Sequence, residues 1–397
     1  MSVLMQPNPI THQGTPRSLK DEILPAEQSR EHEHTHTNAS RLSCLDAWRG
    51  LTVLLMLLVN NVTLDALAPP QLQHAAWGAG ITVTDLVFPW FLFCAGAALP
   101  FAMSAAQKAG FVGWSLIRKL VVRTVLLYLV GALETSVTQH QVTLGLGVLQ
   151  LIALASFFGS LISLLNVRWR LVISAALLIG YDLFITQYPV HGLRGLFTEQ
   201  NNAVKVINDT VLSSIGLRGL LSVIPATALV LLGAIVAQPL HDRRPRAPWI
   251  LMSAGITMSA LGWLWAQHLE FNKAVWTPSY VVYTSGLATL GMLLFYLLAD
   301  SGRRWNAVGE RLLTVFTIPG RNALFAYVAP ILFKVLVLMN WHVSFEGESM
   351  SVQKVLLTIA RSHYGIWGGG WLYTIGYMVA VWLALAALAR RGWIWKL

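Results

Sequence analysis

The sequence predicts an all-α polytopic membrane protein, a bundle of about ten transmembrane helices with both termini in the cytoplasm. Of its 397 residues, 55% are hydrophobic and only 12% are charged, and the mean hydropathy is +0.58. Soluble domains carry about 25% charged residues. Apolar runs of about 20 residues, long enough to cross a hydrocarbon core of about 30 Å, recur after residue 40. This composition excludes a soluble globular domain.

The predicted spans are apolar runs that end at charged residues or at turns containing proline or glycine. They lie at 50–67, 81–103, 119–138, 143–165, 170–187, 218–238, 249–267, 279–299, 321–340 and 369–389.

The orientation follows from lysine and arginine, which collect at the cytoplasmic ends of spans. Basic residues cluster in the segment up to Arg49, the 104–123 turn, and near 168–170, 243–246, 303–321 and 390–396. These regions are predicted to be cytoplasmic. The predicted outer loops hold few basic residues: Arg194, Lys205, Arg218, Lys273, Lys354 and Arg361.

The net charge of +10 is explained by this topology signal and by attraction to anionic lipid. It calls for no nucleic acid, and we predict none as a partner. We expect an integral protein of a bacterial inner membrane, in contact with the lipid bilayer.

The chain divides into a disordered cytoplasmic tail at 1–40 and a transmembrane domain at 41–397. The tail is polar and has nothing with which to build a core. Its alternating histidines, His32, His34 and His36, could bind a metal ion or could simply be solvated. Because no second ligand cluster accompanies them, we predict no metal site.

Four ionisable residues fall within the predicted spans: Asp85, Glu134, Asp182 and Lys334. Each buried charge costs roughly 2.5–3.5 kcal/mol on insertion scales. They could pair with one another or with helix backbone, or they could line a functional cavity. For Asp85 we favour the functional interpretation, because of its neighbours.

His74 precedes Asp85 by eleven residues, across the hinge between the first two predicted spans. A carboxylate that accepts the imidazole N–H fixes the tautomer and raises the basicity of the ring, as a general base or a nucleophile requires. Asn60 and Asn61 could donate to a developing oxyanion. The alternatives are a structural histidine and hydrogen bonds between helices.

Inner basic residues could hold the phosphates of a nucleotide-like ligand, since guanidinium groups match phosphate geometry. The candidates are Arg118, Lys119, Arg123, Arg243 and Arg244, with Arg246 beside them. As clusters alone they are equally typical of topology anchors. Arg41 and Arg49, which flank Asp46, are interpreted as such anchors.

Ordered motifs extend over most of the chain. They are Ser43, Asp46, Arg49 and Gly50; Val59-Asn60; His74-Ala75 with Trp77; Asp85-Leu86-Val87-Phe88-Pro89-Trp90-Phe91; Gly147-Val148-Leu149-Gln150; Ile224-Pro225-Ala226; Ser279-Tyr280-Val281; Pro319-Gly320 with Asn322-Ala323-Leu324; and Trp393-Ile394-Trp395. In these residues the chain resembles the transmembrane acetyltransferases typified by heparan-α-glucosaminide N-acetyltransferase.

The resemblance implies that 41–397 is an acyltransferase domain. Acetyl-CoA would supply the acetyl group from the cytoplasm, and an amine, or a hydroxyl, of an amino sugar or glycan would accept it on the far side. It implies that His74 is catalytic, that Asn60 and Asp85 complete the site, and that Asn322 lies near the thioester. It also implies a homodimer.

The hinge between Asn60 and His74 is four residues longer than a minimal version of the pattern and contains Pro69 and Pro70. Because acceptor loops vary most among relatives, we do not predict heparan sulfate as the acceptor. To meet a cytoplasmic donor, the 65–80 hinge is predicted to dip into the bundle. The alternative function is a secondary transporter or flippase for a sugar or glycolipid, in which the charged residues of the spans carry protons or ions.

Overall fold

The computed structural model describes residues 42–301 and 307–395. The predicted tail, with its three histidines, and Arg41, Arg303, Arg304 and Lys396 lie outside the described residues. In the described part the chain is a helix bundle with one short hairpin. The helices are α1 Ser43–Asn61, α2 Val83–Ala97, α3 Leu99–Lys108, α4 Trp114–Gln139, α5 Val148–Ile162, α6 Val167–Gln187, α7 Ala203–Ile207, α8 Val223–His241, α9 Ala247–Trp265, α10 Pro278–Ala299, α11 Ala307–Arg321, α12 Ala323–Phe333 and α13 Val352–Arg390.

Shorter elements connect these helices. Turns of 3-10 helix occupy Asp65–Leu67, Pro70–Leu72 and Leu220–Ser222, and π-helical turns occupy Asn208–Leu212 and Lys334–Met339. The antiparallel hairpin pairs β1, His342–Phe345, with β2, Glu348–Ser351. Gly365 lies within α13 with φ of 73°, a conformation that favours glycine, and kinks the helix there.

Helix α8 is the centre of the bundle and packs against α2, α5, α6 and α10. Its residues Ala226 to Leu231 are apolar or small and are almost fully buried. Gly96 of α2 faces the Val230 carbonyl, and Gly233 of α8 faces the Phe93 carbonyl. Small residues at such crossings let two backbones approach closely, so α2 is held firmly against the core.

Helix α1 packs against α11 through a second glycine pair. A side chain at Gly50 would collide with the Phe316 carbonyl, and one at Gly320 would collide with the Asp46 carbonyl. At the start of α1, the carboxylate of Asp300 accepts the backbone N–H groups of Ser43 and Cys44 at 3.3 and 2.7 Å. These contacts satisfy two of the N-terminal donors of α1 and bring the end of α10 to the start of α1.

Seven helices in the described ranges are long and apolar enough to cross a membrane, and a pair bent by 74°, Gly309–Arg321 with Ala323–Met339, makes eight. They coincide with eight of the ten predicted spans. The polytopic helical class is therefore confirmed. The count of ten and the cytoplasmic termini stay predictions.

The other two predicted spans form helices of a different character. Helix α4 has 26 residues, but it carries Arg118, Lys119, Arg123 and Glu134. Helix α5 has only 15 residues, which corresponds to a length of about 22 Å and is shorter than a hydrocarbon core of about 30 Å. The apolar pattern at 119–138 and 143–165 thus predicted the helices but not their length or charge.

Candidate active site

The connection from α1 to α2 folds back over the first turn of α2. The Gln71 carbonyl accepts a hydrogen bond from the Thr84 hydroxyl at 3.1 Å, and the Gln71 side chain accepts the backbone N–H of Val83 at 3.1 Å. The Thr82 hydroxyl lies 2.7 Å from the Gln73 carbonyl. His74 follows directly, so its backbone is fixed beside the N-terminus of α2.

Asp85 is the third residue of α2 and closes a capping box with Thr82, the N-cap residue. Its Oδ2 accepts hydrogen bonds from the backbone N–H groups of Ala75 and Thr82, both at 3.1 Å, and from the Thr82 hydroxyl at 3.0 Å. Only 4% of the side chain is exposed. A carboxylate in the first turn also meets the positive end of the helix dipole, so the anion is held rigidly.

The remaining oxygen of this carboxylate orients His74. Nδ1 of His74 lies 2.7 Å from Oδ1 of Asp85. Because an ionised carboxylate can only accept, Nδ1 carries a proton, and in the neutral form of the ring Nε2 is the nitrogen with the free lone pair. The His74 side chain is 66% exposed, and in the described part of the chain Nε2 has no hydrogen-bond partner. This arrangement leaves Nε2 open as a base or a nucleophile.

Lys273, from the connection between α9 and α10, completes the cluster. Its Nζ lies 3.5 Å from Oδ1 of Asp85 and 3.2 Å from Nδ1 of His74. Since Nδ1 already donates to Asp85, the ammonium pairs with the carboxylate and not with the imidazole. Burial lowers the pKa of Lys273 below its usual value, and the charge of Asp85 opposes that shift.

Helix α10 fixes the other side of Asp85. The hydroxyl of the fully buried Tyr280 donates to the Asp85 backbone carbonyl. Trp276, two residues before this helix, packs edge-on against Phe88 with ring centroids 5.5 Å apart. The carboxylate therefore sits between two helices that are locked by packing, which is the rigidity that a catalytic group needs.

The two predicted asparagines are placed differently from each other. Asn61 is buried, and its amide donates to the Leu57 carbonyl at 2.8 Å, a structural hydrogen bond. The side chain of Asn60 is exposed, and its backbone carbonyl accepts a hydrogen bond from Lys334 at 3.2 Å. Among the described residues, no hydrogen bond joins Asn60 to His74 or Asp85.

The hinge lies at the surface and does not dip into the bundle, which makes that prediction wrong. Most residues at 65–80 are exposed. The carboxylate of Asp65 pairs at 2.9 Å with Arg361, and that guanidinium also donates to the Thr63 carbonyl at 2.8 Å. The two 3-10 turns and this ion pair hold the hinge over the end of the bundle.

A cavity of about 300 Å³, here called the arginine cavity, lies toward the opposite end of the bundle, where Phe91, Ala95 and Ala102 line it. Arg49, Arg123 and Arg321 line it together with Ser156 and Trp395. Arg49 also pairs with Asp46 at 3.5 Å, as the topology-anchor interpretation expects. Three guanidinium groups in one concave site can bind phosphate groups through their planar donors.

Of the five basic residues predicted to hold phosphates, Arg123 is the one that lines this cavity. The Lys119 ammonium stacks over the Phe111 ring at 4.1 Å, and Arg244 pairs with Asp242 at 3.4 Å. Arg118 is exposed, and Arg243 adopts a φ of 52° in the turn after α8. The arginine cavity therefore draws its charge from three different helices and not from one basic run.

Asn322 stands at the bend between α11 and α12, beside the arginine cavity. Its Oδ1 accepts the backbone N–H of Trp395 at 3.1 Å, and its Nδ2 lies 3.5 Å from the Trp393 carbonyl. The side chain is buried, with 6% exposed. Both ends of the amide thus bind the C-terminal segment, and Trp395 in turn forms part of the cavity wall.

The other charged residues of the spans have local partners or are simply buried. Asp182 accepts the Trp265 indole N–H at 2.9 Å and lies 3.4 Å from Nε2 of His268. Lys334 donates to the Asn60 carbonyl, and Glu134 is buried in α4. Asp182 fits the structural interpretation, since its two partners link α6 to the end of α9.

Several contributors escaped the sequence analysis. Lys273 lies 199 positions from His74, and no local pattern distinguishes it from other loop lysines. Arg321 and Trp395 join the arginine cavity through the bend after Arg321 and the fold-back of the C-terminus. Only the resemblance, which singled out the motifs around Asn322 and Trp395, gave any signal for these two regions.

The family model described as "Heparan-alpha-glucosaminide N-acetyltransferase, catalytic" matches residues 41–271. Heparan-alpha-glucosaminide N-acetyltransferase of Mus musculus is 36% identical over 101 residues, which is 25% of this chain and 15% of that protein. The Homo sapiens protein of the same name is 35% identical over 91 residues, 23% of this chain and 13% of that protein. These alignments span about one seventh of the length of the relatives. Because the family model covers more than half of the chain, the protein belongs to the heparan-alpha-glucosaminide N-acetyltransferase catalytic family.

Proposed function

We propose that the protein is a membrane acyltransferase that moves an acetyl group from acetyl-CoA to the amine, or a hydroxyl, of an amino sugar or glycan. The observation that carries this proposal is the pairing of His74 Nδ1 with Asp85 at 2.7 Å, which leaves Nε2 open. The family membership supports acetyl transfer as the reaction.

Acetyl-CoA is proposed to bind in the arginine cavity, with its phosphates on Arg49, Arg123 and Arg321. That end of the bundle is predicted to face the cytoplasm. Along α2, the cavity residue Phe91 is six residues from Asp85, or about 9 Å of helix. The pantetheine arm, or a local opening between α2 and its neighbours, must bridge that distance before the acetyl group meets His74.

Two chemical routes use the same geometry. In direct transfer, Nε2 of His74 takes a proton from the acceptor amine while the nitrogen forms a bond to the thioester carbonyl carbon, and the C–S bond breaks to release CoA thiolate. In covalent transfer, Nε2 itself attacks that carbon, CoA leaves, and the amine then displaces the imidazole. In both routes Asp85 stabilises the positive charge that develops on the ring. Asn60 is proposed to assist the oxyanion.

The proposal is tested with purified protein, labelled acetyl-CoA and a panel of amino sugars. Wild type is expected to transfer label, and His74→Ala is expected to lose nearly all of it. His268→Ala is the matched control, because His268 also pairs with a carboxylate and its side chain is 63% exposed. Loss of transfer in both variants would point to damage of the fold.

A transporter predicts a different outcome. If wild type transfers no label to any acceptor yet moves a sugar or glycolipid across liposomes, the acyltransferase proposal fails. To separate the two chemical routes, the protein is mixed with labelled acetyl-CoA alone and quenched. Label that stays on wild type and is absent from His74→Ala indicates the covalent route.

A further inference from the structure

Helix α13 is longer than one membrane crossing requires. As a straight helix its 39 residues would extend about 58 Å, twice the thickness of a hydrocarbon core of about 30 Å. The part after the kink at Gly365, Ile366 to Arg390, would extend about 37 Å and can cross the core by itself. The part before the kink, Val352 to Tyr364, is therefore not needed for the crossing. We call this part, together with the β1–β2 hairpin that leads into it, the hairpin arm (341–364).

The helical part of the hairpin arm has two different faces. Val352, Leu356 and Ile359 follow one another at spacings of four and three residues, which return to the same side of a helix. Lys354 and Arg361 are seven residues apart and share the opposite side. This part of α13 is therefore amphipathic, with one apolar face and one charged face.

The charged face holds the hinge. The guanidinium of Arg361 donates to the Asp65 carboxylate at 2.9 Å and to the Thr63 carbonyl at 2.8 Å. Just after the kink, a side chain at Gly370 would collide with the same Thr63 carbonyl, so the backbones of α13 and the hinge are in direct contact. The hairpin arm is thus joined to the start of the segment that carries His74.

The apolar face is exposed. Leu356 and Ile359 are 46% and 41% exposed, and Trp341, at the base of the hairpin, is 64% exposed. Tyr364 and Trp367, on the two sides of the kink, are 66% and 59% exposed. Tryptophan and tyrosine combine an apolar ring with a polar group, and they are enriched where hydrocarbon meets lipid headgroups. The exposed aromatic residues therefore mark that level of a bilayer.

We propose that the hairpin arm is an interfacial membrane anchor, which lies in the lipid headgroup layer at the hinge end of the bundle. Its partner is the lipid surface, because the apolar face continues through Trp367 into the exposed surface of a helix that is long and apolar enough to cross the membrane. Amphipathic helices of this kind bury their apolar face about 5–10 Å into the boundary between headgroups and acyl chains. Leu356 and Ile359 are the residues that enter this boundary.

The charge of the hairpin arm predicts which lipids it needs. Glu346 and Glu348 of the hairpin balance Lys354 and Arg361 of the helix. Because attraction to anionic lipid requires an excess of basic residues, insertion is driven by apolar burial. It is expected to be the same in a neutral and in an anionic bilayer.

The depth of the hairpin arm is measured with spin labels on the full chain, in nanodiscs of phosphatidylcholine with and without phosphatidylglycerol. Cys44 and Cys94 are buried, so labels on Leu356→Cys and Ile359→Cys report on the apolar face. In both lipids these labels are expected to be relaxed more by oxygen, which dissolves in acyl chains, than by a water-soluble nickel chelate. Lys354→Cys, on the charged face, is the control and should show the reverse order.

Three outcomes would overturn the proposal. Stronger relaxation of both apolar-face labels by the nickel chelate would place this face in water. Protection from both reagents that disappears when each nanodisc holds a single chain would assign the face to a second copy of the protein. Insertion that occurs only with phosphatidylglycerol would show that charge, and not apolar burial, drives it.

The connection to the hinge is tested by hydrogen exchange in the same nanodiscs. Arg361→Gln is expected to raise the exchange rates of amides at 65–72 by about threefold or more, because local opening becomes easier. Replacing Leu356 and Ile359 together by serine should also raise these rates in nanodiscs, but not in detergent, where no bilayer plane fixes the arm. Lys354→Gln is the control and should leave them unchanged. Wild-type exchange rates in the double variant would reject the role of lipid in holding the hinge.

Discussion

The imidazole of His74 and the carboxylate of Asp85 meet at 2.7 Å, although 66% of the first side chain and only 4% of the second are exposed. The buried partner is fixed by the N-terminal turn of α2, and the exposed partner is fixed by the buried one. An exposed imidazole can therefore keep a fixed orientation. Because Asp85 orients and His74 is oriented, substitutions at the two positions should have different effects.

Asp85→Asn should reduce kcat for acetyl transfer by roughly two to four orders of magnitude. The amide can donate to Nδ1, which favours the tautomer whose lone pair points at residue 85 and whose proton sits on Nε2. The Asn oxygen can still cap α2, so the melting temperature should fall by only a few degrees. The measurement is steady-state transfer together with thermal unfolding in detergent. A variant with wild-type kcat contradicts the orienting role.

Lys273→Met tests the cost of the buried ammonium. Burial lowers the pKa of Lys273 in the folded protein below the 10.5 of the unfolded chain. Between these two pKa values, the Lys273 amine is protonated in the unfolded chain and deprotonated in the folded protein. The free energy of unfolding therefore rises with pH across that range. The melting temperature of wild type minus that of Lys273→Met is therefore expected to increase as the pH is raised toward 10.5.

Lys354→Met, which removes an exposed lysine, is the control for this titration. Its melting temperature should follow that of wild type at every pH. If Lys273→Met follows wild type equally closely, the Lys273 ammonium is not held in a desolvated position, and the ion pair with Asp85 is a solvated surface contact.

The sequence predicted the helices well and the distant contacts poorly. Apolar runs locate eight spans, because hydropathy is a local property of the chain. The contact between His74 and Asp85 could also be predicted, since the segment that joins them is short. The contributions of Lys273 and Arg321 could not be predicted, because their positions depend on how α10 and α11 pack against α1 and α2.

Helix crossings at glycine are also contacts between distant parts of the chain that the sequence did not predict. Gly50 and Gly320 belong to recognisable motifs, but only the fold shows that each faces a backbone carbonyl of the other helix. Gly320→Ala is expected to destabilise the protein by about 1–3 kcal/mol or more, since the added methyl group has no room. The loss should appear as a lower melting temperature and less monodisperse protein.

Gly180→Ala is the matched control, because a methyl group there meets no atom within 4 Å. Alanine is the better helix former by up to about 1 kcal/mol, so this variant should be as stable as wild type or slightly more stable. Equal behaviour of the two variants would show that α1 and α11 are not in the close contact described.

Asn322→Ala should release the C-terminal segment. The variant loses two hydrogen bonds to the backbone of Trp393 and Trp395, each worth about 1 kcal/mol. We expect faster proteolysis after Arg390 and, because Trp395 lines the arginine cavity, a higher KM for acetyl-CoA. A chain truncated after Gly392 should reproduce that KM. If truncation leaves the KM unchanged while Asn322→Ala raises it, the amide acts on the donor directly.

The count of ten spans depends on α4 and α5, and Val142 tests them. Val142 lies between these helices, and 92% of its side chain is exposed. If both helices cross the membrane, an impermeant maleimide should label Val142→Cys on intact cells. Arg194→Cys should be labelled as well, whereas Arg244→Cys should react only after permeabilisation. Cys44 and Cys94 are fully buried, so the native cysteines should add little background labelling.

Two outcomes would contradict the predicted topology. Labelling of Arg244→Cys from outside would reverse the predicted orientation. Protection of Val142→Cys while Arg194→Cys is labelled would reduce the number of spans to eight.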